Sequence, residues 1–295
     1  MRGTSLWIIA AALTLAACVS TSEQPDVAVR VSGAPGPQAT TTSDGGELWL
    51  IPSPVDGLLM RATLYRPAGA GPFPLAIINH GSEQDANARA SAPLPTFPAA
   101  TAWFLARGYA VLIPERPGHG KTGGRYLEDQ GPCDAADYVA AGNGAADSIA
   151  AVLTYMHVAA SIRPTGVVLV GNSAGAWGAL ALAARKPAGV RAVIGFAAGR
   201  GGHNGGRPLS NCSPDRLVAA AGTFGKTSRL PTLLLYAAND TYFPPDLSGR
   251  IADAYRQAGG NVEYRLLPAI SGEGHGLIAD QAAWAPTVDA FLKAH

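Results

Sequence analysis

Ser173 stands in Gly171-Asn172-Ser173-Ala174-Gly175, a G-x-S-x-G pattern preceded by Val167-Val168-Leu169-Val170 and followed by an alanine-rich stretch. A sharp turn from strand to helix exposes the hydroxyl above the sheet, and small neighbours are required because the backbone there is tight. At a helix start, backbone N–H groups and the helix dipole also favour developing negative charge. The pattern alone recurs by chance in a chain with 36 glycines, so its partners decide its meaning. A serine hydroxyl is a weak nucleophile unless a base takes its proton, and the base needs an acid to orient it. Of six histidines, His295 is terminal, His157 falls in a helix-like stretch, His80 precedes the serine, and His119 and His203 lie in glycine-rich loops. His275, in Ser271-Gly272-Glu273-Gly274-His275-Gly276, follows the last apolar run and precedes the last helix-like stretch. Asp240 follows the apolar run Leu233–Ala237. Asp240 also suits a helix N-cap; Asp246, after Pro244-Pro245, suits the cap of the next helix, and Glu273 is a second acid near His275. Taken together, Ser173, Asp240 and His275 would perform acyl transfer through a covalent intermediate, with no cofactor and no metal.

Eight short runs rich in β-branched and aliphatic residues read as strands: Leu48–Ile51, Leu58–Tyr65, Leu75–Asn79, Ala110–Pro114, Val167–Val170, Ala192–Ala197, Leu233–Ala237 and Val262–Leu267. Most are continuously apolar, as strands buried on both faces are. Helix-like stretches separate them: Phe97–Arg107, Ala145–Ala160, Ala174–Arg185, Leu247–Ala258 and Ala282–Lys293. The alternation predicts a mostly parallel, doubly wound α/β sheet of about eight strands with helices on both faces. In such a sheet, functional residues collect at the carboxyl ends of the strands, where Ser173, Asp240 and His275 all fall.

The chain resembles the α/β-hydrolases, and within them the dienelactone-hydrolase-like and acyl-peptidase-like branch. The resemblance covers roughly residues 58–292 and rests on Leu64-Tyr65-Arg66-Pro67, Pro72-Phe73-Pro74, Asn79-His80-Gly81-Ser82, the segment Phe104 to Val111, Pro114-Glu115-Arg116-Pro117-Gly118-His119-Gly120, and the order Ser173, Asp240, His275. Dienelactone hydrolases proper use a cysteine nucleophile, where this chain has Ser173. The resemblance implies an oxyanion hole made by the N–H of Ala174 and the N–H of Ser82. His80 is expected to hold that loop, and Glu115 and Arg116 to form a structural or pocket-edge pair. Two glycine-rich segments, Gly118–Gly131 and Gly199–Gly206, follow core strands and should overhang the active-site edge as a small lid. Cys133 follows the first and Cys212 the second, so a disulfide between them would staple that lid; the alternative is two buried free thiols.

Met1-Arg2 and the 12-residue apolar run Leu6–Ala17 read as a signal peptide over residues 1–17, ending in Leu15-Ala16-Ala17-Cys18. The last four residues resemble a bacterial lipobox, which makes Cys18 a lipidation candidate, and Val19 in place of Asp implies outer-membrane sorting. An ordinary secretory peptide with an incidental cysteine is the alternative. Residues 18–46, rich in Ser, Thr, Pro, Gly and Ala, read as a flexible tether, with the catalytic domain at 47–295. Across 295 residues, 47% are hydrophobic and 15% charged, with net charge +1. A large core is therefore available, and there is no electrostatic footprint for nucleic acid. No phosphate-binding loop or H-E-x-x-H motif occurs. The expectation is an exported serine hydrolase on the periplasmic side of the envelope, held to the membrane by its lipid. A small-molecule acyl substrate, first a carboxylic ester, is expected. A serine peptidase or aminopeptidase of the same fold, or a non-catalytic envelope binding lipoprotein, are the alternatives.

Overall fold

The computed structural model describes Met1, residues 33–159 and residues 161–295. The signal peptide apart from Met1, and the lipidation candidate Cys18, lie outside the described residues. A nine-stranded sheet runs through the molecule in the order β1-β2-β3-β5-β4-β6-β7-β8-β9. Its strands are β1 (Gly36–Thr41), β2 (Glu47–Pro52), β3 (Leu59–Tyr65), β4 (Leu75–Asn79), β5 (Ala110–Pro114), β6 (Val167–Asn172), β7 (Val190–Phe196), β8 (Thr232–Ala237) and β9 (Val262–Leu267). The first three strands and β5 pair antiparallel; from β5 onward every pairing is parallel. The helices are α1 (Ala86–Ser91), α2 (Pro98–Leu105), α3 (Tyr138–Met156), α4 (Ala174–Ala183), α5 (Pro214–Gly225), α6 (Pro245–Gln257) and α7 (Gln281–Ala294).

Side chains alternate across a strand with period two, and here the alternation divides the core. Ile77, Leu112, Leu169, Val193 and Leu234 pack with α3, α4, α5 and α6 on one face. Ile78, Ile113, Val170, Ile194 and Leu235 pack with α2 and α7 on the other. All ten residues of α4 are buried, as a helix apolar on every side must be. Gly178 lets α4 close on α3, since a Cβ there would sit 2.5 Å from that of Ala145.

All eight expected strands form. The ninth, β1, lies where a tether to residue 46 is expected. It is largely exposed, and its partner is the β2 backbone, Gly36 opposite Leu50 and Thr41 opposite Glu47. An edge strand held by main-chain bonds needs no apolar period, and Pro37 is tolerated at an edge. The sheet thus begins at Gly36, ahead of the domain start expected at Glu47. The turn into β2 is closed by Thr42 N–H donating to Gly46 O (2.7 Å). Helices α1 and α5 are also additional. The α5 pattern is present in the sequence as Pro214 at the first turn, followed by apolar Leu217, Ala220, Ala221 and Phe224.

Cys133 and Cys212 are joined by a disulfide, with Cα atoms 5.1 Å apart across 79 residues of chain. Neither cysteine lines the cleft described below. The bridge anchors the bases of the two glycine-rich loops against the core, where Tyr138 Oη donates to Cys212 O and Ser213 Oγ donates to Cys133 O. Closing so long a loop restricts the unfolded chain. Replacing both cysteines by serine is expected to lower stability by about 2–4 kcal/mol, read as a lower urea midpoint; an unchanged midpoint would refute a structural role for the bridge.

Candidate active site

The carboxyl ends of β4 and β6 are level, Asn79 pairing opposite Gly171. The loop after β4, His80-Gly81-Ser82, therefore lies beside Ser173. Ser173 occupies the turn between β6 and α4 with φ 54° and ψ −120°, a region costly for a residue with a Cβ. Its N–H donates to Phe196 O of β7 (2.9 Å). The flanking glycines have steric causes. A Cβ on Gly171 would lie 2.3 Å from the Ala176 N, and one on Gly175 would lie 2.2 Å from Asn79 O. The G-x-S-x-G spacing thus lets the helix start press against both neighbouring backbones.

Asp240 and His275 meet for a similar reason. The ends of β8 and β9 are level, Ala237 opposite Leu267. Asp240 is 1% exposed. Its Oδ1 accepts from the N–H of Tyr242 (2.8 Å) and Phe243 (2.9 Å), and its Oδ2 accepts from His275 Nδ1 at 3.3 Å. With the proton on Nδ1, the Nε2 lone pair is free to act as a base. His275 and Ser173 line one cleft.

Glu273, the other acid near His275, does not bond the ring. Its Oε1 accepts from the N–H of Thr241 (2.9 Å) and His275 (3.2 Å), and its Oε2 from Thr241 Oγ1 (2.6 Å). It ties the acid loop to the base loop. Burial raises its carboxyl, but these hydrogen bonds prevail and hold it below the usual value. Asn239 does the same work one residue earlier, donating to the carbonyls of Ile270 (3.0 Å) and Gly272 (2.8 Å). The imidazole of His275 also stacks on Tyr242 (centroids 4.1 Å, 20° between planes), and Tyr242 stacks on His203 (3.5 Å, 16°). The three-ring column holds the imidazole plane. An aromatic residue two places after Asp240 is the only sequence signal for it.

Ser82 and Ala174, expected to supply the oxyanion N–H groups, both line the cleft with Ser173. Among the described residues, neither amide has a protein hydrogen-bond partner. The Ser82 side chain is locked. Arg200 Nη2 donates to Tyr126 Oη (2.5 Å), Tyr126 Oη lies 2.8 Å from Ser82 Oγ, and Ser82 Oγ lies 2.9 Å from His119 Nε2. His119 Nδ1 faces the carbonyls of Arg116 and Pro117, both at 3.2 Å. Arginine can only donate and a carbonyl can only accept, so every hydrogen in the relay points from Arg200 toward His119. His80 adds a second tie, its Nε2 accepting the Arg116 N–H (3.1 Å), which is the loop-holding role expected of it.

Glu115 and Arg116 do not pair with each other. Arg116 and Arg200 share the buried carboxylate of Glu128, at 2.5 and 3.0 Å, while Glu115 accepts from Thr122 N–H (2.7 Å) and faces Arg61 at 3.5 Å. Both residues lie past the end of β5, where the loop carries their side chains to different partners, so sequence adjacency does not make a pair here. Burial would raise Glu128, but Arg116 and its neighbours hold it well below the usual carboxylate range.

Residues 56–219, more than half of the chain, match the family model for X-Pro dipeptidyl-peptidase (S15 family). The chain belongs to the S15 family. No curated protein sequence matches it. Among solved structures, this S15-family chain is similar to an esterase of Pyrococcus furiosus, with 15% identity and a TM-score of 0.63, covering 90% of this chain and 97% of the esterase. It is also similar to a puromycin-hydrolyzing peptidase of Mycobacterium tuberculosis (16%, TM-score 0.56), covering 88% of this chain and 40% of that one. An acylaminoacyl peptidase of Pyrococcus horikoshii gives 12% and a TM-score of 0.57, covering 83% of this chain and 40% of the peptidase. At these identities the likeness is one of fold, the α/β-hydrolase fold. Family and fold together make the chain a hydrolase.

The two buried histidines beside the loop after β4 make the fold acid-sensitive. Burial lowers His119 from the ordinary 6.5 to about 4 and His80 well below 6.5. Between pH 6.5 and about 4 the unfolded chain binds protons on these rings that the folded chain does not, so stability falls as pH falls through that window. Glu115, which burial raises, acts in the opposite sense. The urea midpoint at about pH 5 is expected below that at about pH 7, with a smaller difference in His119→Gln; equal differences in parent and variant would refute the assignment.

Proposed function

We propose that this S15-family chain is a serine hydrolase that cleaves a carboxylic ester through Ser173, His275 and Asp240. The observation that carries the reading is the His275 ring held by buried Asp240 in the cleft that Ser173 faces from a strained turn. His275 Nε2 takes the Ser173 proton as Oγ attacks the carbonyl carbon. The carbonyl oxygen becomes an oxyanion held by the N–H groups of Ser82 and Ala174. Asp240 stabilises the imidazolium. Collapse breaks the bond to the leaving group, which takes the proton from His275. Water, deprotonated by the same nitrogen, then attacks the acyl-enzyme and releases the acid.

A second reading is an amide substrate, as in a peptidase or aminopeptidase. The S15 family model favours it, and the chemistry of the three residues serves both. Nitrophenyl esters and aminoacyl nitroanilides assayed side by side separate the two. Ester turnover is expected in the parent, with Ser173→Ala lowering kcat by about 10⁴-fold or more. Turnover that survives in the alanine variant would refute the mechanism, and a preference for the anilide would select the amide reading. Complete inactivity of folded protein on both would turn the weight toward the binding-lipoprotein alternative.

The chain is further proposed to be exported, its Cys18 lipidated and the domain held on the periplasmic side of the outer membrane. The disulfide supports an oxidising compartment, and Leu15-Ala16-Ala17-Cys18 supports the anchor. Expressed from its full-length gene in a bacterium, the parent is expected in the outer-membrane fraction and Cys18→Ser in neither mature nor lipid-labelled form; unlabelled parent would refute the anchor.

A further inference from the structure

The loop after β4 is held in place by side chains. Gly81, Ser82, Glu83 and Gln84 make no backbone-to-backbone hydrogen bond among the described residues. Arg89 Nη1 donates to the carbonyls of Glu83 (2.9 Å) and Gln84 (2.7 Å), and Gln84 Nε2 donates to Gly202 O. At Ser82 itself the tie is Oγ, set between Tyr126 Oη at 2.8 Å and His119 Nε2 at 2.9 Å. Oγ and the amide nitrogen belong to one residue, so what pins the hydroxyl also places the N–H. Placement matters, because a misplacement of about 1 Å can cost about a hundred-fold in rate.

The relay through Oγ runs one way. Arg200 Nη2 donates to Tyr126 Oη, so the Tyr126 hydrogen goes to Ser82 Oγ and the Ser82 hydrogen to His119 Nε2. That last bond needs a neutral ring with its proton on Nδ1, facing the carbonyls of Arg116 and Pro117. The surroundings keep the ring neutral. Burial lowers its pKa to about 4; Glu128 favours a charge on it and Arg116 opposes one. Glu128 is already shared by Arg116 and Arg200. The His80 ring stands edge-on at 4.6 Å and the Tyr126 ring at 5.5 Å, with the Arg89 guanidinium 3.8 Å from the Tyr126 ring centre. Glu115 lines the same cleft, its Oε2 facing Arg61. A proton on His119 Nε2 would reverse its bond to Ser82. Oγ would then accept twice, from Tyr126 and from His119. Its own hydrogen would be left with Glu83 O at 3.4 Å, a longer bond within its own loop.

We propose that Tyr126 and His119 are positioning residues: through Ser82 Oγ they hold the Ser82 N–H where the oxyanion forms, and they do so only while His119 is neutral. This rests on the triad and oxyanion roles proposed above. The test measures kcat and KM on the nitrophenyl ester, or on the aminoacyl nitroanilide if that is the substrate turned over. Rates are taken per folded enzyme, with folding read by tryptophan fluorescence. Ser82→Ala keeps the N–H and removes only Oγ; kcat is expected to fall about ten-fold, with KM within about two-fold of the parent. Tyr126→Phe is expected to lower kcat about three-fold. His119→Ala, which offers no acceptor, is expected to fall as far as Ser82→Ala. His119→Gln, whose amide oxygen can take the Ser82 hydrogen, is expected to recover most of what alanine loses at pH 7. Glutamine does not titrate, so the parent kcat relative to His119→Gln is expected to fall by about half on going from pH 7 to about pH 4. Parent kcat in Ser82→Ala or Tyr126→Phe, losses carried by KM, no recovery with glutamine, or a parent-to-glutamine ratio constant with pH would each overturn the relay and leave the triad standing. Turnover that survives Ser173→Ala, or none on either substrate, would overturn both.

Discussion

The backbone at Ser173 is the constraint on which the rest depends. A side chain held at φ 54° is paid for by packing on three sides: Phe196 O accepts its N–H, Gly171 clears the start of α4, and Gly175 clears the end of β4. Strain of this kind costs on the order of 1–3 kcal/mol and persists only where surroundings over-determine it. Because β4 and β6 end level, Ser82 and Ala174 border one cleft with Ser173.

Asp240 and His275, the proposed acid and base, follow strands farther along the sheet. One strand, β7, separates β6 from β8, a gap of roughly 10 Å between strand axes. The base loop must therefore lean back across the sheet edge. Asn239 and Glu273 hold it to the acid loop from below, and Tyr242 holds the imidazole from its face. The arrangement is pre-formed, as the acyl transfer proposed for it would require.

Polar burial beneath the oxyanion loop has a comparable logic. Two guanidinium groups share one carboxylate, and Tyr126 and Ser82 pass hydrogen bonds on to His119. A buried ion pair is weak evidence for stability by itself. Here it joins the loops after β4, β5 and β7. The disulfide fastens two of those loops at their bases, and the glycine-rich tip of the loop after β7 lines the cleft.

Local chemistry is legible in the sequence. Most of the eight runs are continuously apolar and become buried strands, because only residues apolar on both faces can sit between two helical layers, while β9 with Glu263 and Arg265 stays partly exposed at the sheet edge. Ser173, Asp240 and His275 stand out from their rivals by chain order as well as by position, since His80 also follows a strand end. The edge strand β1 is not legible, since main-chain pairing at an exposed edge needs no apolar period. Helix α5 carries a readable pattern, yet its short apolar stripe lies among glycine-rich loops and does not stand out from them. Tyr126, Glu128, Arg200, Asn239 and the His203–Tyr242 stack could not be read at all. Their partners lie tens of residues away, and the sequence carries no distance between loops. The sequence by itself determined eight of the nine strands, five of the seven helices among the described residues and which residue types could do the chemistry, because periodicity and turn sterics act over a few residues. Only the tertiary structure decided that Glu273 serves the backbone and not the imidazole, and that Arg116 pairs with Glu128 and not Glu115. Those outcomes follow from the register and order of the strands, which bring distant loops into contact.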